Sequence, residues 1–210
     1  MTKPKVIYDK QYLVSICIPS IIERIDKFSK LIKGLYKQIE TNNLNDYIEI
    51  VSMIDNRTQP LSYKRNMLQN KSKGKYFIHL DDDDELADDY IITVYNHIKR
   101  LKNDVDVITY YQLALVNDKK FKVMSDLNST MELTYVGNDK EGSVFKRYAW
   151  QWCLWHNRFK RVYRSDIDTN AREDQNWLNR VKLEYPKTQS NIPKVLHTYN
   201  FQDPTESSCQ

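Results

Sequence analysis

Glycine is scarce in this chain, with four in 210 residues, and there are only six prolines. With no internal repeat and no low-complexity tract either, nothing in the composition marks a linker, and one domain is expected. Cysteine is scarcer still. Cys17, Cys153 and Cys209 are odd in number and lack metal-ligand spacing, which argues against a disulfide framework and suits free thiols in a reducing compartment. No run approaches the roughly 18 consecutive apolar residues that suggest a membrane span. The opening MTKPKVIYDK has no apolar core of a signal peptide. These absences predict a soluble, cytoplasmic protein.

Net charge is also small, at +4, while 40% apolar and 29% charged residues describe a globular chain rather than a disordered one. The distribution of charge is more informative than its sum: an acidic run, Asp81-Asp82-Asp83-Asp84, stands well apart from a basic stretch near 146–164.

Hydrophobic patterning gives the fold class. The apolar run 13–19, ended by Pro19, reads as a strand buried on both faces. Ile25, Phe28, Leu31, Ile32, Leu35, Tyr36 and Ile39 recur at helical spacing. A strand is expected at 48–54, a helix at 61–69 and a strand at 75–80. A helix capped by Asp88 or Asp89 then carries Ile91, Val94, Tyr95, Ile98 and Leu101, and a strand follows at 105–115. Strand and helix alternate as in an α/β protein with a doubly wound, mostly parallel sheet flanked by helices. Beyond 115 the pattern weakens: antiparallel strands are expected within 122–136, the segment 143–155 is ambiguous, a helix opens at Glu173-Asp174, and a last strand lies at 195–201. In such sheets ligands sit beyond the carboxyl ends of the strands. Pro19-Ser20, Asp55-Asn56 and Asp81–Asp84 all fall there.

Four consecutive aspartates repel one another, so water or a cation must hold them. Mg²⁺ and Mn²⁺ take carboxylate oxygens and complete their shells with phosphate and water, so an acidic turn after a buried strand suits a metal-held diphosphate. A solvated turn that caps the next helix is the plainer reading of the same residues. The position beside two other polar loops favours the metal.

The string Ser62-Tyr63-Lys64-Arg65-Asn66, followed by Gly74-Lys75-Tyr76-Phe77-Ile78-His79-Leu80-Asp81-Asp82-Asp83-Asp84-Glu85-Leu86, resembles the donor-site half of family 2 glycosyltransferases. Val14–Ser20 is similar to that family's opening strand, and the likeness continues in register to about residue 201. It implies a GT-A fold over 1–210 as a single domain, with a nucleotide-sugar half at about 13–115 and an acceptor-side half at about 116–210. It also implies inverting transfer from a nucleoside-diphosphate sugar, a UDP-sugar foremost, to a hydroxyl of a glycan or other soluble acceptor, with Mn²⁺ or Mg²⁺. Carried over by position, Asp55 would accept a hydrogen bond from the base, and Arg65 and Asn66 would line the nucleotide pocket. Asp81 would face the ribose or the metal shell, with Pro19 and Asp82 among the substrate-binding residues, and Asp83 would bind the metal.

Displacement at a sugar C1 also needs a base for the acceptor proton. Glu173-Asp174 is expected in the first turn of a helix, where the macrodipole favours negative charge. It matches the family's Glu-Asp pair, with Asp174 as base and Glu173 as its acceptor-side neighbour. His197 lies where relatives carry a residue near the metal, and is a candidate ligand. His79 alternates within a strand and reads as core. The stretch 143–165 holds six Lys/Arg, seven aromatics and no acid. Trp155 there resembles a family tryptophan that would contact substrate, and the stretch as a whole would equally suit nucleic acid.

Two rivals follow. A modified base in DNA is the minority alternative for the acceptor, favoured by the shortness of the chain and by the basic stretch. Nucleotidyl transfer or a nucleic-acid-binding module are the alternatives of another class. The first needs a second metal-bridging carboxylate, and the second leaves both acidic motifs unexplained.

Overall fold

The computed structural model describes residues 12–116, 119–140, 142–161, 163 and 173–201. Among these residues, four α-helices pack on one mixed sheet. Strand β1 (Val14–Ile21) is flanked in parallel by β2 (Ile48–Asp55) and β3 (Tyr76–His79). Between them run α1 (Ile25–Thr41), entered through a 3-10 turn at Ile22–Arg24, and α2 (Leu61–Lys71). A two-residue strand β4 (Glu85–Leu86) and α3 (Tyr90–Arg100) follow.

The second half supplies β5 (Val107–Val116), β6 (Lys119–Ser125), β7 (Thr134–Asp139), β8 (Gly142–Arg147), β9 (Leu154–His156), α4 (Glu173–Leu183) and β10 (Gln189–Phe201). The sheet order is β2-β1-β3-β9-β5-β6-β8-β7, with β10 beside β5 and β4 beside β10. The late strand β9 runs antiparallel to both β3 and β5 and joins the two halves into one sheet. β10 runs parallel along β5.

Every residue of β1 is buried, as expected of a central strand covered on both faces. Leu31, Leu35 and Ile39 form the inner stripe of α1; Ile91, Val94 and Ile98 form that of α3. β1 continues past Pro19 to Ile21. Its pairing with β3 ends at Cys17, so one edge of β1 is unpaired at the proline, where a missing N–H is tolerated.

The expected aspartate cap of α3 takes another form. Asp89 stands at the cap position, but its carboxylate accepts from the Thr93 hydroxyl and pairs with Lys194. Gln38 of α1 caps α3 instead: its Oε1 accepts from the Ile91 N–H at 2.9 Å and its Nε2 donates to the Ala87 carbonyl at 3.0 Å. No helix among the described residues is long and apolar enough to cross a membrane.

The turn before β3 lies hard against β1. Ser15 Oγ accepts from the Gly74 N–H at 2.7 Å, and a Cβ on Gly74 would sit 2.5 Å from the Ser15 backbone nitrogen. Gly34, exposed on α1, has nothing within 4 Å of its Cβ position. Gly74→Ala is therefore expected to cost about 1–3 kcal/mol. Gly34→Ala should stabilise by about 1 kcal/mol through helix propensity. Urea midpoints of the two variants check both signs.

Candidate active site

The ends of β1, β2 and β3 deliver three polar loops to one edge of the sheet, and the first turn of α4 meets them there. The turn after β3 closes on itself, with Asp84 N–H donating to the Asp81 carbonyl at 3.1 Å and Asp81 N–H donating to Asp84 Oδ2 at 2.8 Å. β4 then pairs with β10, Leu86 opposite His197, which anchors the far side of the turn.

Each aspartate of the turn has its own partner. Asp81 Oδ1 accepts from Arg65 Nη2 at 2.9 Å. Asp82 is 4% exposed; its Oδ2 accepts from Ser20 Oγ at 2.6 Å and its Oδ1 lies 2.6 Å from Arg24 Nη2. Burial pushes the Asp82 carboxyl up to about 6, against the pull of Ser20 and Arg24. The same Arg24 nitrogen lies 2.5 Å from Asp83 Oδ2, so one guanidinium bridges two neighbouring acids. Asp83 is the most open of the four, its side chain 37% exposed. Asp84 is enclosed, and its Oδ1 lies 2.9 Å from His197 Nε2. Burial raises the Asp84 carboxyl, with His197 acting against it. Gln112 holds the other ring nitrogen of His197 at 2.9 Å. His197 thus sits behind the turn, on Asp84.

Helix α2 ties the loops together. Lys64, buried, donates to the Ser20 carbonyl at 2.9 Å and to Asp55 Oδ1 at 2.7 Å. Asp55 Oδ2 accepts from Thr58 Oγ1 at 3.1 Å and from the Gln59 N–H at 2.7 Å. Burial alone would raise the Asp55 carboxyl, but Lys64 and these donors prevail and its pKa is lowered. Arg65, 2% exposed, reaches Asp81 through Nη2 and Glu173 Oε1 through Nη1 at 2.6 Å. Burial disfavours charge on Arg65, yet Asp81 and Glu173 outweigh it and raise its pKa. Burial likewise raises the Glu173 carboxyl despite Arg65.

Asn66, expected to line the pocket, spends its amide on the backbone of Tyr163: Nδ2 donates to the carbonyl at 3.0 Å and Oδ1 accepts from the N–H at 2.7 Å. Gln69, one turn on, grips Arg161 in the same way.

On the acceptor side, Asp174 Oδ2 accepts from Trp150 Nε1 at 3.1 Å, and Oδ1 accepts from the Gln175 N–H at 2.6 Å. The expected contact from Trp155 is corrected by the structure. Trp155 is fully enclosed against Phe159 and Trp177, with its Nε1 on the Trp150 carbonyl at 2.9 Å, so it offers no ring face to a ligand. Trp150 is the tryptophan that reaches the site.

Much of the rest of the described basic-aromatic stretch is core or paired with acids. Tyr148, Trp152, Phe159 and Tyr163 are core residues, and Arg158, Arg161 and Lys146 pair with Asp106, Glu184 and Asp126. Lys160 donates to the Ser72 carbonyl at 2.6 Å. Val162, Arg164 and Arg172 lie outside the described residues. His79 is buried as expected, but neither ring nitrogen finds a hydrogen-bond partner, and burial lowers its pKa well below the usual imidazole range.

The sequence reading singled out the acids and passed over Arg24, Lys64 and Trp150. Lys64 stood inside the quoted Lys-Arg-Asn string, a cation next to the one chosen. Arg24 gave no signal, since a charged residue at a helix start ordinarily reads as surface.

No family model matches the sequence, and no curated protein matches it. Solved structures do match by fold. S. aureus TarS 1-349 superposes with a TM-score of 0.58 over 90% of this chain at 14% identity. TarS 1-349 in complex with UDP gives the same score and identity, and its complex with UDP-GlcNAc gives 0.58 over 91% at 13%. The chain spans about 60% of the length of TarS 1-349. The architecture is therefore that of the nucleotide-sugar transferase folds, as the sequence implied.

Arg65 is the shared counter-ion of two acids from different elements, and its loss leaves both without it. Arg65→Met is expected to cost on the order of 3–5 kcal/mol in urea unfolding. Arg65→Met combined with Glu173→Met should recover part of that loss. A single variant within about 1 kcal/mol of the parent would show that the pairing is not needed.

Proposed function

We propose that this chain is a glycosyltransferase that takes a UDP-sugar at the Asp81–Asp84 turn and transfers the sugar, with inversion, to an acceptor hydroxyl presented to Asp174. The observation that carries the reading is the convergence of the acidic turn after β3 and the Glu173-Asp174 pair of α4 on the two carboxylate-binding arms of Arg65. The fold shared with TarS, which is seen with UDP and with UDP-GlcNAc, supports a UDP-sugar as donor.

A divalent ion fits the donor side in a limited way. Among the described residues no group of three His, Cys, Asp or Glu is arranged to hold an ion unaided. The half-open Asp83 carboxylate, and the Asp81 oxygen that Arg65 does not engage, remain available. Mg²⁺ and Mn²⁺ are commonly bound through one or two carboxylates, with phosphate oxygens and water completing the shell. The acids of the site (Asp55, Asp81–Asp84, Glu173, Asp174) also outnumber Arg24, Lys64 and Arg65, which favours a further cation. Bound there, the ion would neutralise charge on the departing diphosphate. His197, held between Asp84 and Gln112, is better placed to fix the turn than to take part in the shell.

The chemistry asked of the protein is then a single displacement. The acceptor oxygen forms a bond to the sugar C1 as the bond from C1 to the diphosphate oxygen breaks. Asp174 takes the acceptor proton, and the nucleoside diphosphate leaves from the opposite face. Trp150 fixes one oxygen of that carboxylate and the Gln175 N–H fixes the other, so the base is oriented before the acceptor arrives. Pairing of Lys146, Arg158 and Arg161 with the protein's own acids leaves few free cations for a nucleic-acid backbone and weighs against nucleic acid as acceptor.

Thermal unfolding with UDP, with and without Mn²⁺, tests the donor side. UDP should stabilise the wild type, Mn²⁺ should enlarge the effect, and Asp83→Asn should lose the Mn²⁺-dependent part. Asp174→Asn should keep UDP binding and lose about 10²–10⁴-fold in turnover with a competent acceptor. Turnover within a few-fold of the parent would remove Asp174 from the role of base.

A further inference from the structure

Arg147 closes β8 with its guanidinium over the indole of Trp150, the guanidinium carbon 3.5 Å from the ring centroid. Trp150 in turn donates its N–H to Asp174, so the cation stands one indole away from the proposed base. Arg24, Lys64 and Arg65 each meet carboxylates. Arg147 differs: its guanidinium makes no hydrogen bond or ion pair among the described residues, and its Nε is enclosed without a partner. Its burial is deep enough to lower its pKa, with only the more distant charges of Asp174 and Cys153 acting the other way. The Nη edge is left open.

A partly desolvated cation with no counter-ion is costly unless an anion arrives to meet it. The contact with the indole limits where the guanidinium can lie, and its planar fork matches the paired oxygens of a phosphate or carboxylate. We infer that Arg147 is an oxyanion subsite on the acceptor side, and that the acceptor carries a phosphate or carboxylate group there while its hydroxyl faces Asp174. This rests on the reading of Asp174 as the acceptor-side base. It narrows the acceptor from any hydroxyl compound to an anionic one.

The test follows the Trp150 indole N–H resonance in ¹⁵N-labelled, UDP-saturated protein, assigned by its absence in Trp150→Phe. Methyl phosphate and acetate are titrated separately at constant ionic strength, with chloride as the control for screening. Methyl phosphate or acetate should shift the resonance in the wild type, and the stronger of the two tells a phosphate acceptor from a carboxylate one. Arg147→Gln should bind that anion about tenfold or more weakly, the scale of one charge-assisted hydrogen bond. Arg147→Lys keeps the charge but loses the flat fork, and should fall in between; it decides the matter if the Gln variant does not fold. Equal binding by wild type and variant, an equal response to chloride, or no response to either anion overturns the inference. The arm without UDP separates the two levels. An Arg147-dependent shift in a protein that UDP never stabilises keeps the anion subsite and removes the glycosyltransfer reading. UDP stabilisation without any Arg147-dependent shift does the reverse.

Discussion

Carboxylates gathered at the edge of a sheet must each be matched by a positive group or a hydrogen-bond donor, because an unmatched buried charge costs several kcal/mol. That requirement organises this molecule. Arg24 serves Asp82 and Asp83, Lys64 serves Asp55, Arg65 serves Asp81 and Glu173, and His197 closes on Asp84. Every pair joins different elements or loops, so the electrostatics of the site and the positions of its loops are a single problem. What is left over is a surplus of acids over cations, with Asp83 the most exposed acid of the turn.

Helix α2 does most of the joining. Its exposed face would be unremarkable in a sequence plot, yet Lys64, Arg65, Asn66 and Gln69 reach the end of β1, the end of β2, the acidic turn, α4 and the backbones of Arg161 and Tyr163. The helix behaves as a polar core element whose buried side is charged rather than apolar. Its partners are supplied by the strands that precede and follow it.

The fold was legible to the extent that burial follows period. β1, α1 and α3 bury one continuous stripe or run each, and their spans were readable within about two residues. β8 and β9 were not separable within 143–155, because aromatic residues pack into strands, turns and core alike and set no period. The early part of β10 was missed for the opposite reason: Gln189, Ser190 and Asn191 are polar, and their place in the sheet comes from pairing with β5 rather than from apolar alternation. The acids of the site were legible because they are clustered. Their counter-ions were not, since a lone Arg24 or Lys64 looks the same in sequence whether it faces water or an aspartate. Trp155 and Trp150 illustrate the same limit, as composition cannot tell which tryptophan of a rich stretch is enclosed.

The placement of β9 has a kinetic side. Trp155 and His156 pair in register with the outer edge of β3, beside single bonds to Gln151 and Asn157, and all of these lie far along the chain from it. Until they dock, the edge strand of the N-terminal half shows unpaired N–H and C=O groups, the kind of edge on which other chains can add. The native pairing spans about eighty residues of sequence, Phe77 with Trp155, and such long-range closure is slow relative to local helix formation. While β3 waits for β9 its edge is open to aggregation, and substitutions that delay this strand should reduce yield before they reduce stability.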